Sequence, residues 1–140
     1  MKLLNICAHS LAILFVLVPI PGSSDDGKTQ AAEQATVEWL ALVDGRQYEA
    51  SWTEAATFFR NKVSTSDWLK AVAAARSPLG SVVGRELVSA TYATSLPGAP
   101  DGEYVVLQFQ TAFENKAQAI ETVTPMLDQG RWRVSGYYVR

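Results

Sequence analysis

At 140 residues the chain is long enough for one domain and short for two. With 48% hydrophobic and 19% charged residues it belongs with globular rather than disordered polymers. A formal net charge of −2, with Lys and Arg scattered singly, argues against nucleic acid as a partner, because phosphate binding needs clustered cations.

The N-terminus reads as an export leader. Met1 and Lys2 supply a short positive start, Leu11 to Val18 is unbroken apolar sequence, and Pro19, Pro21 and Gly22 then break any helix. Small residues through Ser23 and Ser24 suit signal peptidase, so residues 1–24 are expected to be removed and the mature chain to start at Asp25. Asn5, His9 and Ser10 interrupt the stretch that an uncleaved membrane anchor would need, and Cys7 lies on the wrong side of the apolar core for a lipoprotein. The expected location is periplasmic or secreted, with membrane contact only during export. Cleavage removes Cys7 and His9, the only cysteine and histidine, and leaves eleven basic against fourteen acidic residues, a net charge of −3. A disulfide is then impossible, and the core alone must hold the fold.

Residues 25–30 (DDGKTQ) are polar and aperiodic and read as a flexible lead-in to a single domain over residues 31–140. From Ala31 the period is helical: Ala32, Ala35, Trp39, Leu42 and Val43 form one apolar stripe, and Gly45 after Asp44 is a stop signal. A second helical segment, Gln47 to Asn61, puts Tyr48, Trp52, Ala55, Ala56 and Phe59 on one face. A third begins at Ser66 as N-cap, turns Trp68, Leu69, Val72 and Ala75 inward, and ends before Pro78.

After Gly80 the period becomes two. Val83 to Thr94 reads as a strand with Glu86, Val88, Ala90 and Tyr92 on one side. The run Leu96 to Gly102 (LPGAPDG) is dense in turn residues. In Glu103 to Phe113, Val105, Leu107, Phe109 and Phe113 alternate with polar or outer positions. Glu114-Asn115-Lys116 turns the chain into a strand from Ala117 to Leu127, and Asp128-Gln129-Gly130 turns it into Arg131 to Val139. In the last strand Trp132, Val134 and Tyr138 alternate with Arg131, Arg133 and Tyr137. The expected class is α+β: three N-terminal helices packed on one face of a four-stranded antiparallel, curved meander, since short turns make strands antiparallel and one face must be covered.

Several stretches carry a family resemblance: Trp39-Leu40 with Leu42 and Asp44, Tyr48 with Ser51-Trp52, Arg76-Ser77-Pro78-Leu79-Gly80, Arg85, Leu96 to Tyr104 (LPGAPDGEY), Phe113, Lys116, Glu121, and Trp132-Arg133-Val134 with Gly136-Tyr137-Tyr138. Over about Ala31 to Arg140 they resemble the bacterial family called domain of unknown function 4019, in which LPGAPDGEY joined to a terminal WRVxGYY is the specific combination. The resemblance carries no activity. The order of helices and strands is also similar to the nuclear-transport-factor-2-like (cystatin-like) architecture, which hosts enzymes and binding modules alike and so does not decide function.

Without histidine and cysteine, the mature domain has no Ser–His–Asp or Cys–His arrangement, no usual zinc site, and no haem or iron–sulfur ligation. No G-x-G-x-x-G or Walker pattern occurs, so neither cofactor nor metal is expected. Carboxylate, tyrosine and guanidinium remain. If Glu114-Asn115-Lys116 is a three-residue loop, Phe109 lies opposite Glu121, which joins Leu107, Phe109 and Val123 on the apolar face; a two-residue loop would send it to solvent. An inward Glu121 needs a cation, Arg85 or Arg76, or its proton. It is then either one half of a structural ion pair or a general base working with a tyrosine, as in histidine-free isomerases.

The aromatics Trp39, Trp52, Trp68, Tyr48 and Phe59 read as core or as the lining of a ligand cup. Asp44 reads as part of a helix stop, the Leu96–Gly102 loop as a hairpin connection or a partner contact, and Arg131 with Arg133 as a solvated strand face. The candidate binding set is Tyr48, Trp52, Arg85, Phe109, Glu121 and Tyr138, with Glu121 the one candidate catalytic group. Three functions fit: a non-enzymatic envelope module that binds a small apolar ligand or another protein, a histidine-free isomerase or lyase on Glu121 with a tyrosine, and an assembly subunit that forms a homodimer through the outer sheet face.

Overall fold

The computed structural model describes residues 24–140. Residues 1–23, with Cys7 and His9 and all but the last residue of the expected leader, lie outside them. Four α-helices precede the sheet: α1 (Ser24–Asp44), α2 (Tyr48–Glu54), α3 (Thr57–Lys62) and α4 (Thr65–Arg76), followed by a 3₁₀ turn at Ser77–Leu79. Four strands follow in a meander of order β1-β2-β3-β4, each pair antiparallel: β1 (Val82–Ala93), β2 (Tyr104–Phe113), β3 (Lys116–Asp128) and β4 (Arg131–Val139).

The expected α+β class is the class observed, with three differences in the helices. Residues 25–30 are the first turns of α1 rather than a flexible lead-in. Asp25 and Asp26 favour that helix start by complementing its dipole, and Lys28 is tied to Glu103, its Nζ 2.6 Å from Oε1, beside the Tyr92 ring. The segment from Gln47 to Asn61 is two helices rather than one. Ala55 and Ala56 are extended at the break, and Ala56 donates its N–H to the Val134 carbonyl of β4 at 2.8 Å, so the helix gives up a turn to dock on the sheet edge. The N-cap of α4 is Ser64, not Ser66; its hydroxyl accepts from the Asp67 N–H at 3.1 Å.

The helices cover one sheet face. Trp39, Leu40, Val43, Trp68 and Val72 pack on Val105, Leu107, Phe109, Val123 and Val134, each such burial contributing about 1.5–3 kcal/mol. Ser51, fully buried, organises the two large indoles: its carbonyl accepts from Trp39 Nε1 at 2.8 Å and its hydroxyl from Trp68 Nε1 at 2.9 Å. The stripe of α1 that seals the core is Ala32, Thr36, Trp39, Leu40 and Val43, so Ala35 and Leu42, expected inside, form a half-buried shoulder.

Three irregularities in the ladder decide which side chains face the helices. Val88 is an extra residue between the Leu87–Phe109 and Ser89–Gln108 pairs, so Arg85 and Leu87 point inward while Glu86 and Val88, assigned to the face of Ala90 and Tyr92, point out. The β2–β3 turn has two residues, with Phe113 opposite Lys116, yet a shift between Thr111 and Phe113 restores the pairing of Phe109 with Glu121. The register inferred from a three-residue loop is therefore reached by a two-residue turn and a bulge. In β4, Ser135 is extra between the pairs Thr124–Gly136 and Pro125–Val134. Pro125 lacks an N–H for the ladder, and proline inside a central strand is tolerated at such a bulge. The bulge reverses the alternation beyond it: Tyr137 packs on the core, and Tyr138, expected on the side of Trp132 and Val134, is 54% exposed on the other face.

Candidate functional site

Glu121 is fully buried at the centre of a polar cluster inside the apolar face. Its Oε1 accepts from Arg85 Nε at 2.8 Å and from the Thr111 hydroxyl at 2.6 Å, and its Oε2 from the Tyr137 hydroxyl at 2.5 Å. Arg85 continues outward to Asp44, with Nη1 at 2.8 Å from Oδ2 and Nη2 at 3.0 Å from Oδ1. Arg76 Nη2 reaches the same Asp44 Oδ1 at 2.8 Å, while its Nη1 lies 3.9 Å from Glu121 Oε2. The Arg76 guanidinium also stacks over Phe113, 4.9 Å from the ring centre.

Each member has a local reason to be there. Arg76 ends the helical row Trp68, Val72, Arg76 and is 5% exposed; Asp44 is the last residue of α1. Arg85 and Thr111 are directly opposed across β1 and β2. Burial, then the neighbouring Glu121, pushes the Tyr137 hydroxyl well above the ordinary tyrosine range, so it keeps the proton that it donates. Burial works against the charges of Arg85 and Asp44, but the hydrogen bonds between them outweigh it: Arg85 is raised and Asp44 held below the usual aspartate range. The cluster contains two guanidinium groups and two acidic side chains, and its oxygens are engaged by protein donors.

A second feature lies beyond the cluster. Between α1, α2 and β4 runs a groove of about 640 Å³, with Ala35, Trp39, Leu42, Trp132 and Val134 along it. The half-buried shoulder of α1, Ala35 and Leu42, lies on one side of it and Trp132 and Val134 of β4 on the other. Its rim holds Glu38 of α1, Glu54 of α2, and Arg131 and Arg133 of β4. The two arginines, read from the sequence as a solvated face, thus border a concavity, and Arg133 is half-buried.

Of the candidate residues, the structure brings together Arg85, Phe109 and Glu121. Trp52 is in the helix layer, its Nε1 donating to the Val63 carbonyl at 2.8 Å, with Arg60 over its ring. Tyr48 borders a neighbouring concavity of about 700 Å³ with Arg46 and Leu69, which shares Ala50 and Glu54 of α2 with the groove. Tyr138 is on the opposite sheet face. Trp39 and Trp68 are core, 5.9 Å apart between ring centres, and Trp39 also contributes to the groove. Sequence reasoning missed Thr111, which shares its parity with Phe109 and Phe113, and missed Tyr137 because the bulge hid it. Asp44, read as part of a helix stop, is the residue that joins both arginines.

Comparison with known proteins gives one assignment. Residues 35–137 match the model of a family described as a protein of unknown function (DUF4019). No curated protein matches the chain.

Proposed function

We propose that this chain, which belongs to the DUF4019 family, is a non-catalytic binding module that is exported and holds a small apolar ligand in the groove between α1, α2 and β4. The observation that carries the reading is the apolar shoulder of α1: Ala35 and Leu42 face Trp132 across a concavity instead of being sealed against the sheet. Its volume of about 640 Å³ falls within the span of small-molecule sites. Export rests on the leader's composition: positive start, apolar core, helix breakers and small residues.

The alternative, an isomerase or lyase, has the Tyr137–Glu121 hydrogen bond in its favour. It is the weaker reading, because a general base must reach a substrate proton and Glu121 is fully buried with both oxygens already accepting from protein.

Titration with N-phenyl-1-naphthylamine, a neutral apolar fluorophore excited through tryptophan, tests the groove. Saturable binding is expected, weakened about tenfold or more by Trp132→Ala or Leu42→Gln, a loss of ~1.4 kcal/mol at the least. Binding that is absent, or indifferent to both substitutions, would count against the groove as the site.

A further inference from the structure

The helices cover one face of the sheet and leave the other open except at one end. There the Leu96–Gly102 loop lies over Tyr104, which is buried and whose hydroxyl donates to the Pro100 carbonyl at 2.5 Å. On the open part the ladder aligns side chains of all four strands in rows. One row runs Glu86, Gln110, Ile120, Arg140, and Ile120 and Arg140 exchange both main-chain hydrogen bonds, at 2.9 and 3.1 Å. The next runs Ser89, Gln108, Thr122, Tyr138.

The two edges of these rows complement each other. Glu86 on β1 and Arg140 on β4 are both exposed, and among the described residues neither forms a salt bridge. Three strand spacings, about 14 Å, separate them, so they cannot pair within one copy. In the second row Tyr138 on β4 is 54% exposed, and Val88, the extra residue beside Ser89 on β1, is 59% exposed. An isologous contact needs this pattern, because each edge of the face meets the opposite edge of an identical face.

A two-fold axis parallel to the strands, between two facing sheets, brings those edges together. It lays β1 of one copy over β4 of the other, keeps each row over itself, and leaves the strands aligned as in face-to-face sheet packing. Glu86 then meets Arg140 of the second copy, Tyr138 meets its Val88 and Ser89, and Gln110 lies over its Ile120. Each contact occurs twice. An axis across the strands sets β1 over β1 and β4 over β4, and no acid of β1 then meets a base of β4.

We infer that the open sheet face is a homodimer surface, with a second copy of this chain seated on it about an axis parallel to the strands and Glu86 paired with Arg140 between copies. The surface lies opposite the helices, so the inference stands or falls apart from the groove. Its ion pairs are at the rim, and added salt is expected to weaken the dimer as the Debye length shortens.

Sedimentation velocity of the mature protein, from micromolar to millimolar concentration, tests it. A dimer is expected to form as concentration rises, and Tyr138→Glu, which puts a carboxylate in the contact, is expected to raise its dissociation constant about tenfold or more. Glu86→Arg and Arg140→Glu each set like charges against each other twice, so each chain alone is expected to remain monomeric where the parent is dimeric. Mixed in equal amounts, the two chains are expected to sediment as a heterodimer, since every reversed charge then meets its opposite. All three positions are exposed, and circular dichroism checks that the variants keep the fold. A parent that stays monomeric throughout, a dimer that Tyr138→Glu leaves intact, or reversed-charge chains that fail to associate on mixing would each overturn the inference.

Discussion

Three donors from three different strands converge on Glu121: Arg85 of β1, Thr111 of β2 and Tyr137 of β4. Truncating that side chain leaves Arg85 Nε and two hydroxyls buried without an acceptor, which is costlier than losing the attraction itself. Glu121→Ala is therefore expected to destabilise by about 3–5 kcal/mol, the range for breaking a buried ion pair. Glu121→Gln keeps one acceptor oxygen and is expected to cost less, about 1–3 kcal/mol. Urea unfolding followed by tryptophan fluorescence measures both, and Tyr137→Phe, which removes one hydroxyl only, serves if the alanine variant does not fold. Values within 0.5 kcal/mol of the parent, the usual scatter of surface changes, would mean that the cluster does not support the sheet. Much of this cluster was legible. Counting inward from a three-residue β2–β3 loop placed Glu121 opposite Phe109, a pairing that a two-residue turn and a bulge in fact produce, and Arg85 or Arg76 was named as its partner. Tyr137 was not, because its orientation depends on Ser135, an extra residue that no alternation pattern announces, although Pro125 across from it was a clue.

Helix ends show the same mixture. Gly45 marked the end of α1 to within a residue, yet the residue with positive φ there is Arg46, at 58°. The Gln47 N–H bonds the Leu42 carbonyl at 2.8 Å and the Arg46 N–H bonds the Val43 carbonyl at 3.0 Å, a Schellman closure with arginine where glycine is usual. An L side chain in the left-handed region costs about 1 kcal/mol, which glycine avoids, so Arg46→Gly is expected to stabilise by about 0.5–1 kcal/mol, offset in part by the freer unfolded chain. A thermal melt reads this directly: a higher midpoint is expected, and a lower one would show that the Arg46 side chain does more than tolerate its place. The β2–β3 turn is set from outside itself. Glu114 and Asn115 donate their N–H groups to the Ser81 and Leu79 carbonyls at 2.9 Å, and Gly80 lies so close that a Cβ there would come within 2.9 Å of Glu114 Oε2. A turn fixed by a segment more than thirty residues away cannot be typed from its own three letters, which is why its length was misjudged while its place was not.

For the whole molecule, the change of period from helical to alternating was enough to give the layer order, because each pattern has one way to bury its apolar side. The groove was not legible, since it depends on where α1 crosses the sheet edge, and periodicity does not contain that offset. What fixes the crossing at one end is Asp44, which accepts from Arg76 at the end of α4 and from Arg85 on β1 and so ties two helices to the sheet. Burial raises the Asp44 carboxyl, but the hydrogen bonds from Arg85 and Arg76 outweigh it, so its folded pKa lies below the unfolded value of roughly 3.9. With the pKa depressed on folding, the unfolded chain takes up this proton first as pH falls. The stabilisation is complete above the unfolded value and is lost as pH drops through the folded one. At neutral pH, Asp44→Asn is expected to lower stability by about 2 kcal/mol, the scale of hydrogen bonds to a charged group. Acidification should then narrow the gap between variant and parent, because the parent loses the same interaction by protonation while the amide has nothing to titrate. Urea unfolding of both proteins at pH 7, 5, 4 and 3 measures it, and Asp128, held low by the Thr57 N–H, titrates equally in both and cancels from the difference. A gap unchanged from pH 7 to pH 3 would place the clamp elsewhere than in the charge of Asp44.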